Sequence, residues 1–254
     1  GDVGGAAAAG LAVAALALAG WRSAYAPVVA VLAGVALALH VWGREEYEFP
    51  SMDRDSLAAG LSGAAATGRR LWKNPRMRWL LLAYALYAFT WQSAAGFLPT
   101  FLRASKGFPP GLASGGFAAL FVVGAVVKPL SGSLGDRFPR AGVAAGALVV
   151  AACALAGLLV AEGRLAVGAA VVVFAGGLMA YPPVMQALLM DTFPDGSMGG
   201  DLGATRTVYI GLGSLGPSYV GLVAGRVSYA AAFAGLLGCL LVSAMVVVGL
   251  ARNG

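Results

Sequence analysis

Charged residues are scarce in this sequence. Asp, Glu, Lys and Arg make up 11% of its 254 residues, whereas a typical soluble domain has about 25%. Hydrophobic residues make up 59%, and the mean hydropathy is +0.82. A soluble fold would have to expose much of this apolar surface to water. The composition therefore excludes a soluble domain and indicates an integral membrane protein.

Cysteine and histidine are also nearly absent. Two cysteines, Cys153 and Cys239, are too few for a disulfide-stabilised secreted domain. They stand singly within apolar runs, at no spacing that suits a metal site. His40 is the lone histidine, and the apolar runs contain no paired acids, which argues against catalytic sets such as Ser-His-Asp. We therefore predict no enzyme activity, no catalytic residues, no metal and no cofactor.

Eight apolar runs are long enough, or nearly so, to cross a bilayer, which takes about 20 residues per helix. The runs lie at 4–20, 25–43, 79–102, 112–134, 141–161, 165–190, 203–225 and 229–251. They lack the alternation of polar and apolar residues that is typical of barrel strands. Backbone groups in lipid must bond within their own segment, so we predict an all-α, polytopic bundle of membrane helices.

The basic residues lie mainly in the connections between these runs. Eleven of the 17 Lys and Arg residues fall on the side of the membrane that holds both termini and the long connection at 44–78, and five fall on the other side. Because cytoplasmic connections are enriched in Lys and Arg, we predict a multi-pass protein of the cell membrane with both termini in the cytoplasm. This orientation explains the net charge of +6 without a nucleic-acid partner. We expect two helices at 1–43, a cytoplasmic linker at 44–78 and a six-helix bundle at 79–254.

A specific motif follows the fourth run, where residues 132–140 read GSLGDRFPR. It resembles the G-x-L-x-D-R-x-x-R loop of the major facilitator superfamily, which joins the second and third helices of each six-helix half. The turn GWR at 20–22 and the segment LGP at 215–217 also resemble that family, in its last outer loop of the first half and its glycine-rich penultimate helix. The resemblance implies the last two helices of the N-terminal half, the central linker and the whole C-terminal half. The four preceding helices are then expected as partners from the same protein.

The resemblance also implies a cytoplasmic gating loop that comprises Gly132, Asp136, Arg137 and Arg140, with Arg206 on the same side of the membrane. Gly132 would let a neighbouring helix approach closely, and Asp136 would face the N-terminus of another helix. Arg137 and Arg140 would lie at lipid headgroups or pair with acids. The candidate acids are Asp191, Asp195 and Asp201. Contacts made in only one conformation would bias a two-state equilibrium; a basic turn that only sets topology is the alternative.

In the family, the solute pathway uses the first, second, fourth and fifth helices of each half. These correspond here to the runs at 79–102, 112–134, 165–190 and 203–225. Polar residues within such runs are costly unless they face a partner or a wet cavity. We therefore predict pathway roles for Gln92, Lys128, Tyr181 and Gln186. Interhelical hydrogen bonding is the alternative for the neutral residues, and snorkelling to the interface is the alternative for Lys128.

The function implied by the resemblance is secondary active transport of a small solute by alternating access, with or without a coupling ion. The alternative is a membrane-embedded sensor, scaffold or inactive remnant that transports nothing. No Asp or Glu lies deep within a run, so a coupling carboxylate is expected outside this chain. The G-x-G-x-x-G match at 211–216 precedes Pro217 inside an apolar run, which favours glycines for helix packing over a nucleotide site.

Overall fold

A computed structural model describes residues 26–42, 68–69, 72–194 and 198–252. The described residues form helices and turns and contain no strand, which confirms the all-α prediction. The helices are α1 (Ala26–Trp42), α2 (Pro75–Lys106), α3 (Pro110–Arg137), α4 (Arg140–Val160), α5 (Arg164–Met190), α6 (Met198–Gly213), α7 (Leu215–Arg226) and α8 (Tyr229–Arg252). The run predicted at 4–20, the turn at 20–22 and most of the linker at 44–78 lie outside the described residues.

The chain divides into two compact units, Gly1–Ser62 and Gly63–Gly254. In the first unit the structure describes α1, an apolar helix of 17 residues whose large side chains from Val29 to Trp42 are exposed. The second unit contains α2 to α8.

Within the described residues, five helical segments are long and apolar enough to cross a membrane: Pro110–Arg137, Arg140–Val160, Arg164–Met190, Met198–Arg226 and Tyr229–Arg252. They correspond to five of the predicted runs. The helix α2 has 32 residues and is also long enough, but polar residues such as Thr90, Gln92 and Ser93 make it less apolar. These five segments establish a multi-pass architecture for the second unit.

The helix α2 runs through the centre of the second unit and packs against α3, α5, α6, α7 and α8. Its buried ring Phe101 stacks on Phe233 of α8 with 4.3 Å between centroids. Close packing also joins α4 to α5 through small residues. A Cβ on Gly177 of α5 would lie 2.5 Å from the backbone nitrogen of Ala151 in α4. Such backbone-to-backbone approach is typical of membrane helices, which associate by van der Waals contact rather than by excluding water.

Local signals fix both ends of α2. Asn74 caps its start by accepting hydrogen bonds from the backbone N–H groups of Arg76 and Met77, at 3.0 and 3.4 Å. The helix ends at Gly107, whose φ of 66° lies in the left-handed region that glycine tolerates. Just before this end, Lys106 donates from Nζ to two carbonyls at the C-terminus of α4, both at 2.8 Å. This cation satisfies carbonyls that the helix itself leaves unpaired and joins the ends of α2 and α4.

The break between α6 and α7 follows from one proline. Pro217 lacks an N–H and its ring clashes with the carbonyl four residues earlier, that of Gly213. The helix accordingly ends at Gly213 and resumes at Leu215. The two pieces together span Met198–Arg226. Pro217 thus divides one membrane crossing into two segments, of which α6 contributes to the site described next.

Candidate functional site

A cavity of about 520 Å³ lies among α2, α3, α5 and α6. Each of three helices lines it with side chains three or four residues apart, the spacing of one helical face. The lining residues are Tyr84, Tyr87, Ala88, Trp91 and Gln92 of α2, Lys128 of α3, Met179, Pro182, Pro183 and Gln186 of α5, and Arg206, Tyr209 and Ile210 of α6. Sequence reasoning singled out the same four helices for the solute pathway.

Packed tyrosines form one wall of this cavity. Tyr84 stacks on Tyr209 with 3.9 Å between ring centroids and an interplanar angle of 13°. Behind them, Tyr181 contacts Tyr84 edge-on at 5.6 Å and Tyr87 at 4.6 Å. All four rings are buried. They hold α2, α5 and α6 together through rigid side chains, and the rings of Tyr84, Tyr87 and Tyr209 line the cavity.

The proline pair in α5 explains the hydrogen bond that one of these tyrosines, Tyr87, makes to α5. Pro182 has no N–H, so the carbonyl of Leu178, four residues earlier, loses its usual helical partner. The Tyr87 hydroxyl donates to this carbonyl at 2.8 Å, in a buried hydrogen bond between α2 and α5. The helix α5 therefore continues through Pro182 and Pro183 to Met190. A polar side chain of the neighbouring helix has replaced the missing backbone donor.

Glycines bring α6 and α7 against α2. A Cβ on Gly213 would meet Gln92 and Ala88, and one on Gly216 would meet the carbonyl of Phe89. This contact seats Gln92 so that its Nε2 donates to the carbonyl of Ile210 at 3.1 Å. Two glycines of the 211–216 motif therefore serve helix packing.

Two cationic side chains line the cavity, Lys128 from α3 and Arg206 from α6. Arg206 Nε donates to the Tyr209 hydroxyl at 3.3 Å, which holds the guanidinium beside the tyrosine wall. No carboxylate lies among the described residues that line the cavity. The described lining therefore has a positive formal charge.

Three of the four residues predicted for the solute pathway meet in this cavity: Gln92, Lys128 and Gln186. The fourth, Tyr181, is fully buried behind the wall rather than on its surface. Its hydroxyl lies near Ser243 of α8 without a hydrogen bond of good geometry among the described residues.

Sequence reasoning missed four aromatic residues of the lining: Tyr84, Tyr87, Trp91 and Tyr209. A usable signal was present, since Tyr84, Tyr87, Trp91 and Gln92 occur at positions i, i+3, i+7 and i+8 of one helix. Arg206 was grouped with the gating loop from its side of the membrane, but the structure brings it to the cavity instead.

The other residues of the predicted gating loop lie where α3 ends and α4 begins. Arg140 contacts Asp191, at the end of α5, with 2.6 and 2.5 Å from Nη1 to the two carboxylate oxygens. Its Nη2 lies 3.8 Å from Asp136. Arg137 is exposed beside this cluster. The pairing of Arg140 with an acid on α5 connects the loop to a helix that lines the cavity.

The close helix approach expected at Gly132 occurs at a different glycine. A Cβ at Gly132 would meet no described atom within 4 Å. A Cβ at Gly135 would lie 3.3 Å from Val184 of α5. The close approach of α3 to α5 is therefore made at Gly135, three residues after the predicted position.

An unexpected buried acid lies in the first turn of α6. Asp201 is fully buried together with Thr205, whose hydroxyl donates to the carbonyl of Leu202 at 3.0 Å. Its position at a helix start hid this burial from sequence reasoning. Within the described residues, no three His, Cys, Asp or Glu side chains gather in a way that could hold a metal ion.

Comparison with known proteins identifies the family. The model of the Major Facilitator Superfamily matches residues 1–217. The curated proteins contain no match to this chain. The family match covers most of the 254 residues, and the helical architecture agrees with it. The chain is therefore a multi-pass membrane protein that belongs to the major facilitator superfamily, a family of membrane transporters.

Proposed function

We propose that this protein moves a small solute across the cell membrane by alternating access, and that the solute binds in the cavity among α2, α3, α5 and α6. The observation that supports this most is that polar and aromatic side chains of four helices converge on one space of about 520 Å³. This volume is within the range of small-molecule sites, about 300–1,000 Å³. Polar groups inside a membrane bundle are costly unless they serve a wet path or a partner.

The cavity would then belong to one half of a two-bundle carrier. The other half would come from N-terminal helices of the same protein. Lipid surrounds both bundles, and the apolar stripe of Val122, Val126 and Leu130 on α3, each more than half exposed, suits such surroundings. The solute crosses without covalent change, so this function requires no catalytic residue.

The ion pair between Arg140 and Asp191 would act as the gate at the cytoplasmic end. Asp191 follows Gln186 by five residues, or about 7.5 Å along a helix at 1.5 Å per residue. A movement of α5 at the cavity would therefore move Asp191 relative to the loop. Since charged contacts made in one conformation only bias a two-state equilibrium, breaking this pair would favour the conformation that opens to the cytoplasm. Both termini would lie on that same side, as the distribution of basic residues indicates.

Alternating access can be tested before any solute is known. Cys153 and Cys239 are replaced by Ala, and one cysteine is introduced at Ile210, a half-exposed residue of the cavity lining. The full chain in proteoliposomes is treated with a membrane-impermeant thiol reagent on one face at a time. Alternating access predicts that Ile210→Cys reacts from both faces. Arg140→Gln should shift the reaction toward the cytoplasmic face.

Two matched controls define the faces. Glu162→Cys, in the exposed connection between α4 and α5, should react only from outside, and Phe138→Cys, between α3 and α4, only from the cytoplasm. Alternating access would be contradicted if Ile210→Cys reacted from one face only, both in the protein with Arg140 and in the variant Arg140→Gln. A sensor or scaffold with a fixed conformation would give that result.

A further inference from the structure

The cavity has a chemical preference that goes beyond transport as such. Its described lining contains two cations, Lys128 and Arg206, and no carboxylate. An ionised side chain within a membrane bundle costs free energy, and such a residue ordinarily has a functional role. Two of one sign in a single space of about 520 Å³ set up a positive potential there.

The aromatic lining adds a second preference. Tyr84, Tyr209 and Trp91 contribute ring surface, and Phe121 contacts the Trp91 ring edge-on at 6.2 Å between centroids. The packed tyrosines fix this surface, so a flat apolar ligand would meet a wall that needs no rearrangement. The amide of Gln186 also lines the cavity and can donate or accept a hydrogen bond.

We propose that the cavity is selective for a small organic anion: a carboxylate, phosphate or sulfonate group bound by Lys128 and Arg206, on a body that packs against the tyrosine wall. This inference rests on the proposed function for its location and adds the substrate class. Arg206 suits the role, because a guanidinium binds such oxyanions in a defined geometry while its Nε remains on Tyr209. Lys128 supplies the second charge from a different helix, α3.

The test uses the reaction of Ile210→Cys with two small reagents of opposite charge, on the full chain in lipid nanodiscs with Cys153 and Cys239 replaced by Ala. The reagents are 2-sulfonatoethyl and 2-(trimethylammonio)ethyl methanethiosulfonate. A cleft lined by one sign of charge raises the local concentration of counter-ions by about 10- to 1,000-fold. We therefore expect the ratio of rate constants, anionic over cationic, to exceed the ratio at Phe138→Cys by at least about tenfold.

Charge variants decide whether the two cations cause the preference. The double variant Lys128→Gln/Arg206→Gln should reduce the ratio to that of the control cysteine. Arg206→Lys retains the charge and should retain most of the ratio, which separates charge from a loss of folding. Arg226→Gln removes an exposed cation at the end of α7, outside the cavity, and should leave the ratio unchanged.

An equal or cation-favouring ratio at Ile210→Cys overturns the anion preference while two-faced access, and with it the transport proposal, still stands. A failure to react with either reagent overturns both. A lipid headgroup is an alternative source of the anionic group, and nanodiscs of phosphatidylcholine with and without phosphatidylglycerol distinguish the sources. Slower anionic labelling with phosphatidylglycerol, relative to Phe138→Cys, indicates a lipid headgroup; equal labelling indicates a soluble anion.

Discussion

Replacing Tyr87 by Phe should destabilise the bundle, because it leaves a buried carbonyl without a donor. Pro182 has no N–H to donate to the Leu178 carbonyl, so this carbonyl accepts a hydrogen bond from the Tyr87 hydroxyl at 2.8 Å. Tyr87 is only 4% exposed, so water cannot easily take the place of its hydroxyl as the donor to this carbonyl. An unsatisfied buried acceptor costs about 1–3 kcal/mol, whereas hydrogen bonds between membrane helices average about 0.6 kcal/mol. We therefore expect the free energy of unfolding to fall by about 1 kcal/mol.

A double-mutant cycle tests whether the unpaired Leu178 carbonyl causes this loss of stability, and not only how large the loss is. The free energy of unfolding is measured by detergent titration in bicelles for wild type, Tyr87→Phe, Pro182→Ala and the double variant. Alanine at 182 supplies the N–H that the Leu178 carbonyl lacks. Tyr87→Phe should then cost about half as much or less in the Pro182→Ala background. An equal cost in both backgrounds would refute the proposed replacement of a backbone donor by a side chain.

Three further predictions follow from the packing and the charges. Gly177→Ala should destabilise the protein by about 2 kcal/mol or more, because its Cβ would lie 2.5 Å from the backbone of α4. The control Gly176→Ala has no neighbour nearer than 3.9 Å and should be tolerated. Equal thermal stability of the two variants would contradict this prediction. Lys106→Met removes both hydrogen bonds to the end of α4 and should lower the unfolding free energy by about 1–2 kcal/mol, measured by the same titration. Arg140→Gln or Asp191→Asn should change stability by less than about 1 kcal/mol, since the pair is partly exposed, yet shift the labelling of the cavity cysteine between faces; a large stability loss without such a shift would show a structural role.

The helices of the described residues could be predicted from the sequence for a physical reason. Each apolar run has to satisfy its backbone internally in lipid, so run length alone defines a helix. The break after Gly213 is also local, since Pro217 removes the hydrogen bond that would cross it. The residues of α2 that line the cavity follow helical periodicity and could have been found by extending the argument for Gln92.

Tertiary contacts decided the rest. Tyr181 and Gln186 are both polar residues of α5, but only the rotation of α5 against α2 determines that Gln186 faces the cavity while Tyr181 is buried. The same holds for Arg206, whose charge indicated a side of the membrane but whose helical face is set by the contact of α6 with α2. Asp201 illustrates a further limit, because position at a helix end does not reveal burial.

A counterflow measurement in proteoliposomes that contain the full chain tests directly whether the cavity binds and moves a solute. A panel of matched anionic, neutral and cationic small solutes is offered, and the exchange of each is compared with that in empty liposomes. We expect saturable exchange of at least one solute at equal protein amounts. Gln186→Leu should reduce this exchange about tenfold or more, and Arg226→Gln should leave it unchanged. Two results would contradict a solute site in this cavity. One is that no solute shows saturable exchange. The other is that exchange remains intact in each of the variants Gln186→Leu, Lys128→Gln and Arg206→Gln.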